Sequence, residues 1–247
     1  MNAAPADQIR LLDVQDLDVR LQQIAHKRRS LPEHAEVESL TKDHAQQRDL
    51  LVAAQTEESD CAREQTKAEQ DVDQVSRRAA RDQQRLDSGA VTSPKDLESL
   101  QREIASLAKR QSDLEDIVLE VMERRESAQE RVAELTERVA AVQGRLDEVT
   151  ARRDTALGAL DAEAASVTKD REVVAAAVPA DLMKLYDRLR EQQGGVGAAK
   201  LSQRTCQGCR QELAITELNE IRQAAPDTVV RCENCRRILV RTADSGL

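Results

Sequence analysis

The chain has 247 residues, 34% of them charged, with a net charge of −9, no Phe or Trp, and Tyr186 as its one aromatic side chain. A thick globular core takes its bulk from aromatics, so this composition excludes an ordinary globule and favours long helices packed on narrow seams of Leu, Val, Ile and Ala. No apolar run reaches transmembrane length, and the start, Met1-Asn2-Ala3-Ala4-Pro5, lacks the basic and apolar stretches of a secretory leader, which points to the cytoplasm.

In the first arm, Val14, Leu17, Leu21, Ile24, Arg28 and Leu31 recur at heptad spacing. A second run shares another register: Val37, Leu40, His44, Gln47, Leu51, Ala54, Glu58, Cys61, Gln65, Ala68, Val72, Val75, Ala79, Asp82 and Leu86. The registers differ by one residue across Ser30-Leu31-Pro32-Glu33. That tetrad has the form of a capping box and predicts a kink or a fresh helix start. His26, His34 and His44 are not three or four residues apart, so they do not meet on a helix face as a metal or catalytic group.

A turn follows at residues 88–94, Ser-Gly-Ala-Val-Thr-Ser-Pro. Ser93 suits a helix cap, Pro94 the first helical position and Asp96 the first turn. From Leu97 to Val167, steps of three and four visit 21 positions, of which 17 are apolar, and a period held that long means a coiled coil. A helix of roughly 85 residues would reach about 125 Å. Arms of similar length on either side of the turn predict one antiparallel hairpin over residues 1–178, with a parallel dimer of long helices as the rival. Asp87, Lys95 and Asp96 at the tip read as solvated or helix-start charges, with a docking tip as the alternative.

Residues 179–198 read as a short amphipathic helix carrying Leu182, Leu185, Tyr186 and Leu189, then a hinge at Gly194-Gly195-Val196-Gly197. In residues 199–247 the helical period stops. Cys206-Gln-Gly-Cys209 and Cys232-Glu-Asn-Cys235 form a C-x₂-C-x₂₂-C-x₂-C pattern, the spacing of two knuckles that close a tetrahedral sulfur site on one Zn²⁺. Residues 228–231 and 237–241 read as short strands, and 216–224 as a helix between the knuckles. With thiolate in all four positions no coordination site is open to water, so the expected metal is structural and lets a small domain fold. Cys61 lies on the heptad seam and reads as a small core residue.

Charge is uneven. Residues 199–247 carry eight Lys/Arg against six Asp/Glu, a net of +2, and the preceding 198 residues carry −11. The acidic part should repel nucleic acid and anionic membranes. Arg204, Arg210, Arg231, Arg236, Arg237 and Arg241 surround the knuckles and are candidates for binding nucleic acid or a protein partner. The alternative is solvated charge offsetting a dianionic metal site. Base stacking would lack aromatics. No nucleophile–base set, phosphate loop or paired acid site stands out, so a small-molecule substrate and enzymatic activity are not expected.

The whole order resembles the bacterial family of C4-type zinc-ribbon proteins with a long N-terminal coiled-coil hairpin. The residues that carry the resemblance are Lys95-Asp96-Leu97-Glu98-Ser99-Leu100, the Pro179 to Leu185-Tyr186 helix, Cys206 and Cys209, Asn219-Glu220-Ile221, and the run from Val230 to Leu239. Family members often place Pro and Gly in the second knuckle; here Glu233 and Arg236 replace them. The resemblance implies a mainly α fold, a hairpin followed by a small β zinc ribbon. It also implies adaptor or chaperone roles of the kind linked in some relatives to flagellar or type III secretion and to an alternative sigma factor, with nucleic-acid binding proposed for the ribbon. The Arg- and Ala-rich composition suggests an actinobacterial member. The expected function is therefore a non-catalytic zinc-binding adaptor with a protein partner; the alternative is a nucleic-acid-binding regulator working through the ribbon.

Overall fold

The computed structural model describes every residue, Met1–Leu247. In chain order it has helices α1 (Pro5–Arg29), α2 (Pro32–Asp87), α3 (Pro94–Ala176) and α4 (Ala180–Gln192), strands β1 (Ala198–Ser202) and β2 (Thr205–Cys206), helix α5 (Ile215–Gln223), and strands β3 (Val230–Arg231) and β4 (Ile238–Val240). The chain forms two compact units, Ala35–Thr150 and the remainder, Met1–His34 with Ala151–Leu247. No helix is long and apolar enough to cross a membrane.

In the unit Ala35–Thr150, α2 and α3 pair as an antiparallel hairpin within one chain. The ion pairs Glu58–Arg125, Glu64–Arg124 and Arg78–Glu103 join the two helices, with the partner numbers falling as the first numbers rise. Leu40, Ala54, Cys61 and Ala68 are buried opposite Leu100, Leu114, Val121, Ala128, Leu135 and Val149. These are heptad positions, and each large one that is buried contributes about 1.5–3 kcal/mol. The seam also takes polar residues, and in one layer they bond across it. Arg125 donates to Glu58 (3.0 Å) and Gln65 (3.1 Å), and Gln129 donates to the same Glu58 oxygen. Such a layer costs stability but fixes which residues face each other. At the turn, Gly89 takes a φ of 67° just past the end of α2, the left-handed conformation that closes helix C-termini.

The break between α1 and α2 falls at the tetrad Ser30–Glu33, but not as a capping box. The Ser30 hydroxyl turns back and donates to the His26 carbonyl (2.9 Å), closing α1 instead of opening α2. Glu33 Oε2 is buried without a partner. Pro32 itself starts the new helix, where its missing N–H costs nothing.

In the other unit the four strands make one sheet in the order β2-β1-β4-β3. β1 runs parallel to β4, pairing Ala198, Ala199 and Lys200 with Ile238, Leu239 and Val240. β2 and β3 add antiparallel on the outside. Strand alternation sends neighbouring residues to opposite faces. Ala198, Ile238 and Val240 pack with Leu11, Val14, Leu182, Tyr186 and Leu189 of α1 and α4. Ala199, Leu201 and Leu239 face the other way, onto Cys206, Cys232, Leu213, Leu218 and Ile221. The ribbon sheet is thus the middle layer of a packed body. The N-terminal segment joins it: Ala3 N–H donates to Asp227 O and Val229 N–H to Met1 O.

The segment expected as a hinge is held from several sides. Gln15 Oε1 accepts from Gly197 N–H (2.7 Å), and Gln15 Nε2 donates to Gly195 O (3.1 Å). A Cβ on Gly197 would stand 2.6 Å from the Tyr186 carbonyl, so only glycine admits this approach.

Candidate zinc centre

Each knuckle closes an antiparallel turn, and the two are built alike. Arg210 N–H donates to Cys206 O (2.7 Å), and Arg236 N–H to Cys232 O (2.8 Å). Cys206 N–H reaches Gln211 O, and Cys232 N–H reaches Arg237 O, the corresponding atoms. The residue after the second cysteine takes a left-handed backbone in both, with φ of 59° at Arg210 and 63° at Arg236. The knuckle needs a positive φ at the position that Arg236 holds, which glycine takes freely and arginine adopts at a cost.

The turns bring Cys206, Cys209, Cys232 and Cys235 together, with all four sulfurs within 4.8 Å of one another. Cys206 Sγ lies 3.9 Å from Cys235 Sγ, and Cys209 Sγ lies 3.9 Å from Cys232 Sγ. A tetrahedral zinc with bonds of about 2.3 Å requires sulfur–sulfur edges of about 3.8 Å, so the set fits one ion. Burial pushes the Cys206 and Cys232 thiols up, away from ionisation. At Cys235 burial acts the same way, but hydrogen bonding from Arg237 and the neighbouring thiols outweighs it and draws the thiol down. Four thiolates in such a place call for a cation. Zn²⁺ supplies it and staples the two knuckles; the chain supplies a complete ligand set.

The six candidate arginines do not form one patch. Arg237 points inward and donates to three carbonyls, Val196 (2.9 Å), Gln193 (2.8 Å) and Gly208 (3.3 Å). It links the second knuckle to the first and to the loop after α4. Arg241 donates to the carbonyls of Ile221, Ala224, Ala225, Pro226 and Thr228, satisfying the open end of α5 and the loop beyond it. Arg231 donates to Arg236 O (2.8 Å). Arg204, Arg210 and Arg236 are exposed, all with left-handed backbones.

Two groups escaped the sequence reading. Glu217, buried in the first turn of α5, accepts from Glu233 N–H (3.0 Å) and ties that helix to the second knuckle. Asp18, 1% exposed, accepts from Arg171 (2.7 Å), Arg190 (3.2 Å) and the Tyr186 hydroxyl (2.7 Å). Asp18 lies four residues after Val14 and seven after Leu11, on the helix face those buried residues share, and that spacing was the available signal.

A helical hairpin followed by a four-cysteine ribbon defines a class of zinc-binding protein. The sequence matches the CT398-like coiled coil hairpin domain over residues 14–194 and the C4-type zinc ribbon domain over residues 205–239, and the chain belongs to this CT398-like family. A solved structure from Mycobacterium smegmatis is 34% identical, with a TM-score of 0.86 over 98% of this chain and 100% of that one. CT398 from Chlamydia trachomatis shares the fold at 17% identity, with a TM-score of 0.70 over 96% and 98% of the two chains. An uncharacterized protein of Mycobacterium tuberculosis is 40% identical over 74 residues, a match spanning 30% of this chain and 30% of that protein. The mycobacterial relatives support an actinobacterial member.

Proposed function

We propose that the protein is a non-catalytic zinc-binding adaptor of the cytoplasm, with the acidic hairpin engaging a protein partner and the ribbon engaging protein or nucleic acid. The observation that carries this reading is the closed sulfur set. Four cysteines meet the four positions of one zinc and leave none for water, so the metal organises structure and takes no part in hydrolysis. The outward resource of the molecule is then its helical surface. Crosslinking mass spectrometry in the native cell tests this. A reproducible partner crosslinked through hairpin lysines such as Lys42, Lys67 or Lys109 is expected, and recovery of none would sink it.

A second reading, nucleic-acid binding by the ribbon, is favoured by the exposure of Arg204, Arg210 and Arg236. It requires retention on RNA or DNA that falls steeply with salt. Charge reversal at Arg210 and Arg236 should abolish that retention; no retention at low salt would rule this reading out.

A further inference from the structure

Three large apolar side chains lie open to solvent within six residues of α3: Ile117, Leu119 and Met122, exposed by 44%, 58% and 45%. None occupies the seam, which passes through Leu114, Val118 and Val121. On the outside of a coiled coil such positions usually hold charged residues. Leu119 and Met122 are three residues apart and so share a face.

Two hollows meet at Leu119 along that face. One is lined by Glu69, Val72, Glu115 and Val118, and the other by Gln65, Met122, Glu123, Arg125 and Glu126. Together they form a furrow from Glu115 to Glu126, about three helical turns or 16 Å long. Four carboxylates rim it: Glu69, Glu115, Glu123 and Glu126. None of the four is in an ion pair, and the one cation at the edge, Arg125, is already held by Glu58 and Gln65.

We propose that this furrow is the docking site for a basic amphipathic helix of a protein partner. The apolar face of that helix sits on Leu119 and Met122, and its Lys or Arg side chains meet the four carboxylates. The proposal rests on the adaptor reading and gives it a location and a partner chemistry. Helix-in-groove recognition needs an apolar strip with matched flanking charge, and both are present. Charge argues against a second copy as occupant. The unit Ala35–Thr150 holds 27 Asp/Glu against 17 Lys/Arg, so two such surfaces would repel.

The test uses the full zinc-loaded chain and a fluorescein-labelled peptide of Leu and Lys, with its leucines on one helical face, read by anisotropy. Wild type binds. The double substitution Leu119→Ser, Met122→Ser weakens binding by at least about tenfold, as loss of a central apolar anchor does. Replacing Glu115, Glu123 and Glu126 by Gln weakens it too and flattens its salt dependence. Leu50→Ser with Val52→Ser, apolar and exposed elsewhere on the hairpin, leaves binding unchanged, and helical circular dichroism confirms that each variant folds. Equal affinity for wild type and the Leu119/Met122 variant, or no binding, overturns the furrow. So does self-association of wild type that the same variant abolishes, which would make the occupant a second copy. Partner crosslinks in the cell that survive the Leu119/Met122 substitutions would retain the adaptor reading and overturn the furrow alone.

Discussion

The Tyr186 hydroxyl donates to Asp18 Oδ2 at 2.7 Å, inside a core where Tyr186 is fully buried and Asp18 nearly so. Arg171 and Arg190 bond the same carboxylate, so one acid joins α1, the end of α3 and α4. Removing Asp18 takes the buried carboxylate from two half-buried guanidinium groups and leaves them only the more exposed Asp187. Asp18→Ala should cost about 3–5 kcal/mol, and Tyr186→Phe about 1.5–3 kcal/mol, measured by urea unfolding.

The same contact predicts an alkaline limit. Burial first, and then the bond to Asp18, raise the Tyr186 pKa above its ordinary value of 10.0. The folded state therefore holds the proton more tightly than the unfolded chain. This contribution is complete below about pH 10 and is lost as pH rises past that value. Tyr186 is the sole tyrosine, so tyrosinate absorbance reports one site. It should appear only together with loss of helical circular dichroism, and Tyr186→Phe should lack this component of alkaline destabilisation. Ionisation at about pH 10 in a fully helical protein would contradict the burial.

Zinc removal should act on both cores of its unit. Cys206 and Cys232 belong to the core around Leu201, Ile221 and Leu239, while Ile238 and Val240 of the same strand β4 pack beside Tyr186. Chelation is expected to release one zinc per chain and to erase amide protection across β1–β4 and α5. It should also collapse the near-ultraviolet signal of Tyr186, with helical protection in residues 35–150 retained. Cys206→Ser should do the same, since structural zinc contributes on the order of 10 kcal/mol to small domains. Unchanged ribbon protection after chelation would show that the metal is not the staple.

Features set by local spacing were legible in the sequence. The heptad positions from Leu97 to Leu160 are all buried or half-buried, because helix periodicity alone decides which side faces a partner. The cysteine pairs met because a tight turn places residues three apart on one side. What could not be read depends on distant chain. Ala198-Ala199-Lys200-Leu201-Ser202 has little strand preference of its own, and it becomes β1 by pairing with β4 forty residues on. Arg237 and Arg241 looked like surface charge because nothing local shows the carbonyls that surround them. Ser30 and Glu33 had capping-box spacing, but the hydroxyl turns back to donate to His26 O and does not serve as an acceptor for the first turn of α2.

The glycines give a paired test of packing against propensity. A Cβ at Gly144 or Gly158 meets nothing within 4 Å, and both lie inside α3. Ala at either should stabilise by about 0.5–1 kcal/mol through helix propensity. At Gly197 the new Cβ would stand 2.6 Å from Tyr186 O and 2.9 Å from its ring. Gly197→Ala should clearly lower the melting temperature of the unit formed by Met1–His34 and Ala151–Leu247, while Gly144→Ala and Gly158→Ala each raise that of the unit in which they lie.

Arg236 and Arg237 are neighbours with opposite expected behaviour. Arg236 is exposed and carries a φ of 63°, so Arg236→Gly removes backbone strain, loses no side-chain bond, and should raise stability by about 1 kcal/mol. Arg237 binds carbonyls from residues 193, 196 and 208. Arg237→Ala strands all three and should cost about 2–3 kcal/mol. Lysine should not rescue it, since one ammonium on a flexible stem cannot reproduce the planar fork that spans them. Thermal unfolding of the three zinc-loaded variants reads the order directly. A destabilised Arg236→Gly would mean that the arginine side chain holds the knuckle in a way its exposure does not suggest, and a tolerated Arg237→Lys would mean that charge alone closes the loop after α4.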